Sequence, residues 1–310
     1  MLPTRGSLQV TQLADPTQKP LEDVTKCLDY SPPERCYSMG ELGLQAPEAL
    51  CDFAVTAPFQ LLSEACVDAM REELSDKIVQ DNCKFSNART PCTLRGVSQY
   101  CPIIKAVWSS HQVTDIVSSI AGIRLKPIMD YELGVCNVQV PDSRGNDMLV
   151  DAWHRDSYPF VAIVMLTDPS GVLGGETAIQ QGDGSILPIS FPSAGSCVVL
   201  QGQQVLHCGR RAVAASSAER ITMVTSYVPA DPLLPDRSVL RGPRPVSDCS
   251  LLYHQWACYR LASLQSQAQA HLEALQRKTD GKLGPADVQE MKQQMLEMAS
   301  FLQASAAELQ

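Results

Sequence analysis

Three residues have the types and the spacing of a metal-ligand set. His154 and Asp156 stand one residue apart at the end of a segment predicted to be a β-strand, and His207 lies in a later strand. Because alternate residues of a strand project to the same face, His154 and Asp156 can reach one ion. Two imidazoles and one carboxylate leave three positions of an octahedral ion open, as is typical of Fe(II) sites that bind oxygen. We therefore predict that His154, Asp156 and His207 hold a catalytic metal.

An arginine on a later strand is a second chemical feature. Arg220 begins the predicted strand 220–228, and Thr222 shares its inward face. A guanidinium is costly to bury inside an apolar barrel unless a carboxylate meets it. A dicarboxylate that chelates the metal at its other end would supply that partner. We therefore predict that Arg220 binds the carboxylate of a ligand.

Three polar residues lie on what we predict to be the first strand of the barrel, residues 128–140. Tyr131, Asn137 and Gln139 alternate onto one face of this strand, which we expect to point inward. In that position they could donate hydrogen bonds to a bound ligand. Alternatively, they satisfy backbone groups at the barrel mouth, since polar residues in barrels do both. The sequence leaves these two roles open.

The segments that must position these residues are short and rich in β-forming side chains. We predict strands near residues 128–140, 149–154, 160–167, 176–181, 185–190, 196–201, 204–208 and 220–228. Turns rich in Gly and Pro separate them, a pattern typical of a sandwich or barrel rather than of a doubly wound sheet. The predicted fold is mainly β with flanking α-helices, and its core is two facing sheets in jelly-roll order.

Helices and an irregular segment flank the β-region. Hydrophobic residues recur at helical spacing over 58–79, 112–121, 251–277 and 285–309. Residues 1–45 are rich in Pro, Gln, Thr and Ser, which predicts a loosely ordered amino-terminal arm. A domain over 46–235 and a carboxyl-terminal helical extension over 236–310 follow. The last helix carries a Val and Met stripe that would pack against the barrel or a second subunit, so a homodimer through these helices stays open.

Composition and charge exclude several classes of protein. The 310 residues carry a formal net charge of −9 without a clustered Lys/Arg stripe, so no nucleic-acid partner is expected. No stretch approaches the roughly 18 uninterrupted apolar residues of a membrane helix, so no membrane partner is expected either. The first residues lack the apolar core of a secretory signal, and the 12 cysteines form no C-x-x-C pair. We therefore expect a cytoplasmic protein with reduced thiols.

The candidate ligands and the arginine resemble a known family, the Fe(II)/2-oxoglutarate-dependent dioxygenases. They are similar to the facial triad and the cosubstrate anchor of that family. The resemblance is carried by His154-x-Asp156, by His207, by Arg220 and by the turn Gly174-Gly175-Glu176-Thr177, which is similar to one in the prolyl-hydroxylase-like branch. The segments 129–134 and 154–160 resemble fungal members that act in secondary metabolism, one of which forms aziridine amino acids.

The resemblance implies a fold, cofactors and a reaction. The family's fold is a double-stranded β-helix, a jelly-roll core backed by helices. Its members use Fe(II), 2-oxoglutarate and O2, and they release succinate and CO2. Arg220 would pair with the C5 carboxylate of 2-oxoglutarate, and Thr222 would supply the hydroxyl that relatives with an R-x-S pattern take from serine. The presence of Asp156 disfavours halogenation, because halogenating relatives lack this carboxylate.

These observations favour one function over two alternatives. The favoured function is oxidation of an unactivated carbon of a small molecule, by hydroxylation, desaturation or ring closure, in natural-product biosynthesis. The first alternative is a non-catalytic, cupin-like barrel that binds a metal or a carboxylate. It is disfavoured, because a passive site has no use for both open metal positions and a carboxylate anchor. The second alternative is an oxygenase that acts on a peptide, for which the helices after residue 249 could form a platform.

Overall fold

Short strands and six helices make up the part of the chain that the structure describes. The structure, a computed structural model, describes residues 23–87, 90, 92–139, 151–170, 172–214, 219–277 and 281–310. The strands are β1 (Cys36–Ser38), β2 (Phe53–Thr56), β3 (Phe59–Gln60), β4 (Lys84–Phe85), β5 (Thr93–Leu94), β6 (Leu125–Pro127), β7 (Val135–Gln139), β8 (Asp151–His154), β9 (Phe160–Met165), β10 (Val172–Gly174), β11 (Thr177–Gln180), β12 (Ile186–Ile189), β13 (Ser196–Leu200), β14 (His207–Gly209), β15 (Ala212–Ala214) and β16 (Arg220–Pro229). The helices are α1 (Glu64–Ser75), α2 (Lys77–Asn82), α3 (Pro102–Trp108), α4 (His111–Ala121), α5 (Cys249–Gln276) and α6 (Pro285–Ala307).

Eight of the strands pass back and forth between two antiparallel sheets. The larger sheet has the order β1-β2-β13-β9-β16-β7-β5-β4, with β3 beside β13 and β6 beside β16. The smaller sheet has the order β12-β11-β14-β8, and β10 pairs with β15. Along the chain β7, β9, β13 and β16 join the larger sheet and β8, β11, β12 and β14 the smaller, which is the arrangement of a jelly roll. The predicted fold class is therefore confirmed.

The central strand β9 shows how the molecule comes to have two layers of core. Every residue of β9 is buried, and the strand pairs with both β13 and β16. Its even-numbered residues belong to a hydrophobic cluster with α1, α3 and α4. Its odd-numbered residues belong to a second cluster that includes Ile179 and Ile189 of the smaller sheet. The helices thus cover the outer face of the larger sheet, and the smaller sheet covers its inner face.

The predicted helix over 58–79 is wrong at its start and is interrupted near its end. Phe59 and Gln60 form β3, and Ser63 caps the beginning of α1 with its hydroxyl. Asp76 separates α1 from α2 and caps α2 with its carboxylate. Short polar side chains favour such positions because they accept hydrogen bonds from the free N–H groups of a first helical turn. Continuous hydrophobic periodicity therefore concealed a helix boundary.

The other predicted helices are present, and one further helix was not predicted. α4 begins after the Ser110 cap and ends at Gly122, whose φ of 71° stops the helix. α5 and α6 correspond to the two predicted carboxyl-terminal helices. α3 was missed, since its seven residues are too few to display a helical period over the usual window.

The first barrel strand is shorter than predicted. Residues 130–132 form a 3-10 turn, and β7 begins after Gly134, whose φ is 69°. A Cβ added at Gly134 would lie 2.5 Å from Ile104 Cγ2, so both the backbone conformation and the close approach require glycine. The prediction of a strand over 128–134 is therefore wrong. Residues 140 and 149–150 of the predicted strands lie outside the described residues.

Part of the predicted amino-terminal arm belongs to the larger sheet. Residues 1–22 lie outside the described residues. Farther along, β1 pairs with β2 at the edge of the larger sheet, and Met39 and Leu42 are buried in the second cluster. Residues 36–42 therefore contribute to the core between the sheets.

The carboxyl-terminal extension consists of two helices that pack against each other. Trp256 of α5 is buried and donates its Nε1–H to the carbonyl of Ser305 in α6 (3.0 Å). Trp256 also belongs to a cluster with Val228 of β16. Among the described residues, no helix has both the length and the apolar character needed to cross a membrane.

Candidate active site

The three predicted ligands meet at one end of the smaller sheet. His154 of β8 and His207 of β14 are cross-strand partners, and their ring centroids lie 4.2 Å apart. The Asp156 carboxylate lies between them, with its oxygens 3.3 Å from His154 Nε2 and 3.6 Å from His207 Nε2. One potential ligand atom of each residue lies within 4.8 Å of those of the other two. This is the spacing of groups that can share a single metal ion.

Backbone carbonyls orient both imidazole rings toward the common centre. His154 Nδ1 lies 2.7 Å from the carbonyl of Ala152, and His207 Nδ1 lies 2.9 Å from the carbonyl of Val205. With the proton on Nδ1, each ring donates a hydrogen bond to its carbonyl, and the lone pair of Nε2 is left for a metal. Burial lowers the pKa of His207, although the Asp156 charge opposes this shift. The neutral imidazole that a metal requires is therefore favoured.

Gly202 makes room for the carboxylate of Asp156. The Asp156 N–H donates to the Gly202 carbonyl (2.9 Å), which brings the two backbones together. A Cβ added at Gly202 would lie 1.9 Å from Asp156 Oδ2 and 2.8 Å from its Cγ. Any side chain at this position would therefore displace the carboxylate from its place between the imidazoles.

Gly202→Ala is expected to weaken Fe(II) binding about tenfold or more. Displacing a metal ligand should lower the metal affinity at least as much as removing a residue that only hydrogen-bonds to a ligand, which lowers it about tenfold or more. The measurement is an anaerobic Fe(II) titration of the variant and the wild type. Gly40→Ala is the matched control, since a Cβ there would meet only Ser38 Oγ at 3.8 Å. Equal Fe(II) affinity of Gly202→Ala and the wild type would contradict this account of the Asp156 position.

A second carboxylate, not predicted from the sequence, also faces the site. Asp151 Oδ2 lies 3.5 Å from His154 Nε2, and Asp151 lines the same cavity. The register explains this: His154 pairs with His207 but Asp151 pairs with Gly209, so β8 holds one extra residue between the two pairs. Such a bulge rotates residues that simple alternation would place on opposite faces onto the same face. The alternation of residues along a regular strand therefore could not reveal that Asp151 faces the site.

One cavity connects the candidate metal site with the predicted carboxylate anchor. Its wall includes the triad and also Arg220, Thr222 and Asn137. Along β16, alternate residues from Arg220 to Ser226 face the cavity, as the pleat requires. At about 3.3 Å per residue, Arg220 and Ser226 stand roughly 20 Å apart. Arg220 therefore marks one end of the cavity, and Ser226 marks the other.

Arg220 is a buried cation on the wall of the cavity. It is only 7% exposed, and its Nη2 donates to the carbonyl of Gly175 (2.5 Å). Burial lowers the pKa of Arg220 to about 10, while the nearby Glu176 carboxylate opposes this shift. The guanidinium thus stays charged at neutral pH, and it has five N–H donors, more than this bond uses. Thr222, two residues along the same face, adds a hydroxyl to the same wall.

The Gly174-Gly175 turn holds the backbone close to this guanidinium. Both glycines have positive φ, 78° and 77°. A Cβ added at Gly174 would lie 2.3 Å from the Arg211 carbonyl oxygen, and one added at Gly175 would lie 2.9 Å from Arg220 Nε. The turn singled out in the sequence therefore places the carbonyl that orients the Arg220 side chain.

The three polar residues of the first strand have different surroundings. Asn137 lines the cavity and pairs with Thr222 across the sheet. The Gln139 amide bonds to the backbone of Ala212, accepting from its N–H (3.1 Å) and donating to its carbonyl (3.2 Å). Tyr131 lies in the 3-10 turn, and its hydroxyl accepts from the N–H of Asp248 (2.9 Å). Gln139 and Tyr131 thus satisfy backbone groups, whereas Asn137 faces the cavity.

A buried ion pair on the cavity wall was also missed from the sequence. Arg95 and Glu132 form a salt bridge, their side chains are 8% and 3% exposed, and both line the cavity beside Tyr158. Arg95 follows β5 and Glu132 precedes β7, so the two residues meet only because these strands pair. No local spacing in the sequence signals this contact.

Comparisons with known proteins find likeness among solved structures alone. No protein-family model matches the chain, and no curated protein matches it. The chain is similar to AviO1 from Streptomyces viridochromogenes Tue57, with 15% identity over 64% of this chain and 95% of that one and a TM-score of 0.43. The non-haem α-ketoglutarate-dependent carbocyclase SnoK from nogalamycin biosynthesis is similar over 55% of this chain and 77% of that one, with 17% identity and a TM-score of 0.40. IDO from Bacillus thuringiensis is similar over 31% of this chain and 43% of that one, with 20% identity and a TM-score of 0.26.

The matched structures include 2-oxoglutarate-dependent oxygenases, the family that the sequence motifs resemble. The reported TM-scores are all below 0.5, so this likeness carries no argument about the function of this chain. The function is therefore inferred below from the residues of the site.

Proposed function

We propose that this protein is a mononuclear, non-haem Fe(II)/2-oxoglutarate-dependent oxygenase. It oxidises an unactivated carbon of a small molecule by hydroxylation, desaturation or oxidative cyclisation, with succinate and CO2 as coproducts. One observation carries the proposal: two histidines and an aspartate converge on one point, and a buried arginine lines the same cavity. A metal centre and a separate carboxylate anchor are what a chelating dicarboxylate needs.

The residues present fit Fe(II). His154, Asp156 and His207 would hold the ion through two nitrogens and a carboxylate oxygen, a donor set suited to Fe(II) with open positions. An Fe(II) ion held by these residues together with 2-oxoglutarate and O2 would supply the oxidising power needed for an unactivated carbon. The chain keeps both imidazoles oriented through the carbonyls of Ala152 and Val205. This orientation keeps the coordinating nitrogens directed at the centre before any ion arrives.

Arg220 and Thr222 would bind the distal carboxylate of 2-oxoglutarate. Both face the cavity from the inward side of β16. Asn137, opposite Thr222, would donate to the same ligand, and the hydrophobic side chains of Val224, Val161 and Ile163 exclude water beside it. In such surroundings a guanidinium–carboxylate pair is strong, because little solvent competes for its hydrogen bonds.

The decisive experiment is an anaerobic titration of the apo-protein with Fe(II) and then 2-oxoglutarate. The expected result is a visible metal-to-ligand charge-transfer band that saturates at one equivalent of each. Iron binding without the band would favour a passive metal-binding barrel, and absence of iron binding would refute the triad. Succinate formation with candidate substrates then separates small molecules from peptides.

The proposal includes a role in natural-product biosynthesis. It is supported by the likeness of segments 129–134 and 154–160 to fungal members of the family that act in secondary metabolism. Screening small amino acids and other natural-product precursors for substrate-dependent succinate release tests it. Release with an unmodified peptide alone would contradict it.

We further propose a homodimer through α5 and α6. Leu261 of α5 and Val288, Met295 and Leu302 of α6 are exposed although they are apolar. The three residues of α6 recur every seven positions and so lie along one face. Met295→Glu is expected to convert a dimer into a monomer in sedimentation-velocity experiments, whereas Gln293→Glu, at an exposed polar position on the opposite side of the same helix, leaves the dimer intact. A wild-type monomer at high protein concentration would contradict this proposal.

A further inference from the structure

A segment outside both sheets forms the wall of the cavity at the end remote from Arg220. We call this segment, residues 236–248, the strap. Gly242, Pro243 and Val246 of the strap line the cavity together with the triad. Leu240 of the strap packs in a cluster with Val228, which lies about 26 Å along β16 from Arg220 at the usual strand rise. The strap therefore borders the end of the cavity that a substrate, rather than 2-oxoglutarate, would occupy.

The barrel holds the strap from one side. Ser157, the neighbour of Asp156, accepts hydrogen bonds from Val239 N at its carbonyl (3.0 Å) and from Gly242 N at its hydroxyl (3.1 Å). Arg95 of the buried ion pair donates its Nε–H to Ser247 Oγ (3.0 Å). The strap is thus connected to the residue that follows a candidate metal ligand.

Glu308, directly after α6, holds the strap from the other side. Its Oε2 accepts from the N–H of Leu240 (2.7 Å) and from Arg244 Nη2 (2.9 Å). Its carbonyl also accepts from Arg244 Nη2 (2.7 Å). Both side chains are largely shielded, with exposures of 19% for Glu308 and 22% for Arg244. Hydrogen bonds to charged groups in such shielded places are strong, so Glu308 fixes two points on either side of Gly242.

The helical hairpin keeps Glu308 in place. Arg260 of α5 is 3% exposed, donates to Ser305 Oγ of α6 (2.7 Å) and also donates to Asp236 Oδ2 at the start of the strap (2.5 Å). Trp256 donates to the carbonyl of the same Ser305. One buried arginine therefore joins α5, α6 and the strap, and α6 delivers Glu308 to its position over Leu240.

We propose that Glu308 is a positioning residue for substrate selection. It acts through the strap: by fixing Leu240 and Arg244 it sets where Gly242, Pro243 and Val246 stand, and so sets the size of molecule that can reach the metal. The assignment of this end to the substrate rests on the proposed oxygenase function. The connection between Glu308 and the strap does not depend on that function.

The first test measures the strap directly. Hydrogen–deuterium exchange is followed over peptides covering 238–247 in the full-length protein loaded with Fe(II) and 2-oxoglutarate without oxygen. In Glu308→Ala the amide of Leu240 is expected to exchange about tenfold faster, since it loses a charged acceptor. Glu297→Ala is the matched control, because Glu297 is exposed on the same helix and accepts only from its neighbour Gln293 (2.9 Å) among the hydrogen bonds of the described chain. Exchange over 238–247 that is equal in both variants would overturn the proposal.

The second test distinguishes substrate selection from a merely structural role. N-oxalylglycine, a small isostere of 2-oxoglutarate, probes the cosubstrate end, and 2,2′-bipyridine, a larger chelator, probes access to the metal. Glu308→Ala is expected to bind N-oxalylglycine as the wild type does but to lose iron to bipyridine about tenfold faster, as expected when a wall loosens. Glu308→Gln, which retains an oxygen for Leu240 N, is expected to recover most of the wild-type rate.

Each outcome has a defined meaning. Faster exchange over 238–247 with an unchanged bipyridine rate would make Glu308 structural only and would overturn the proposal. If the wild type gives no charge-transfer band, the oxygenase function fails, and the exchange data then report on the strap alone. Failure of the function and failure of the strap proposal are thus told apart.

Discussion

His207→Ala is expected to abolish tight Fe(II) binding, with the dissociation constant rising about 100-fold or more. Removing a residue that only hydrogen-bonds to a metal ligand typically lowers metal affinity about 10–100-fold. His207 would itself be a ligand, so a larger effect is expected. His207 is 5% exposed, and its Nδ1 contact with the Val205 carbonyl directs Nε2 at the candidate metal position. A water molecule in its place would lack this fixed orientation. The measurement is anaerobic equilibrium dialysis against Fe(II), read by inductively coupled plasma spectrometry.

His154→Ala and Asp156→Ala are expected to behave in the same way. Asp151→Asn is the informative control, because Asp151 also lies 3.5 Å from His154 Nε2 but is not part of the converging set. Asp151→Asn should retain stoichiometric iron. Stoichiometric iron in both His154→Ala and His207→Ala would refute the site. Loss of iron in Asp151→Asn, with iron retained in Asp156→Asn, would make Asp151 the carboxylate ligand instead of Asp156.

Arg220→Ala is expected to weaken 2-oxoglutarate binding by about 2–5 kcal/mol, the usual effect of removing one partner of a buried charged pair. This corresponds to a rise in the dissociation constant of roughly 30-fold to several thousand-fold. The charge-transfer band provides the measurement, because it reports 2-oxoglutarate bound to the iron. Iron affinity itself should stay near the wild-type value, since Arg220 is not a ligand.

Two companion variants make the Arg220 result specific. Arg210→Ala removes an exposed arginine from the neighbouring β14–β15 connection and should leave the affinity for 2-oxoglutarate unchanged. Thr222→Val keeps the shape of the side chain but removes the hydroxyl, and a smaller loss of about 0.5–1.5 kcal/mol is expected. An Arg220→Ala variant that binds 2-oxoglutarate as tightly as the wild type would place the anchor elsewhere.

The candidate metal ligands could be predicted from their residue types and spacing, because His154 ends β8, Asp156 follows it by two residues and His207 begins β14. His154 and His207 lie on paired strands, and Arg220 and Thr222 lie on the long strand β16, where the period of two holds. Asp151 was not accessible, since a bulge changes the period within β8. Strict alternation therefore places Arg220 and Thr222 of β16 correctly at the cavity but misses Asp151 of the bulged strand β8.

The misplaced elements have equally local causes. In the sequence, Tyr131 continues the alternation of apolar and polar residues in β7, but the chain turns at Gly134. The Tyr131 hydroxyl therefore accepts a hydrogen bond from the N–H of Asp248 instead of entering the cavity. The jelly roll itself was predictable, because turns of Gly and Pro separate its strands at short intervals. The Arg95–Glu132 pair and the contact of Glu308 with the strap join residues far apart in the chain, and only the tertiary structure brings them together.

The placement of the strap has a consequence for how this scaffold can diversify. His207 of β14 and Arg220 and Thr222 of β16 lie on strands with a neighbouring strand on both sides, so a substitution there disturbs two hydrogen-bonded partners. Gly242, Pro243 and Val246 lie on a connection outside the sheets, and loops tolerate changes in sequence and length far better than the strands they join. Under the proposed function, substitutions in the strap therefore change which molecules reach the site while the candidate metal ligands and Arg220 stay unchanged, which makes this segment the first target for directed evolution.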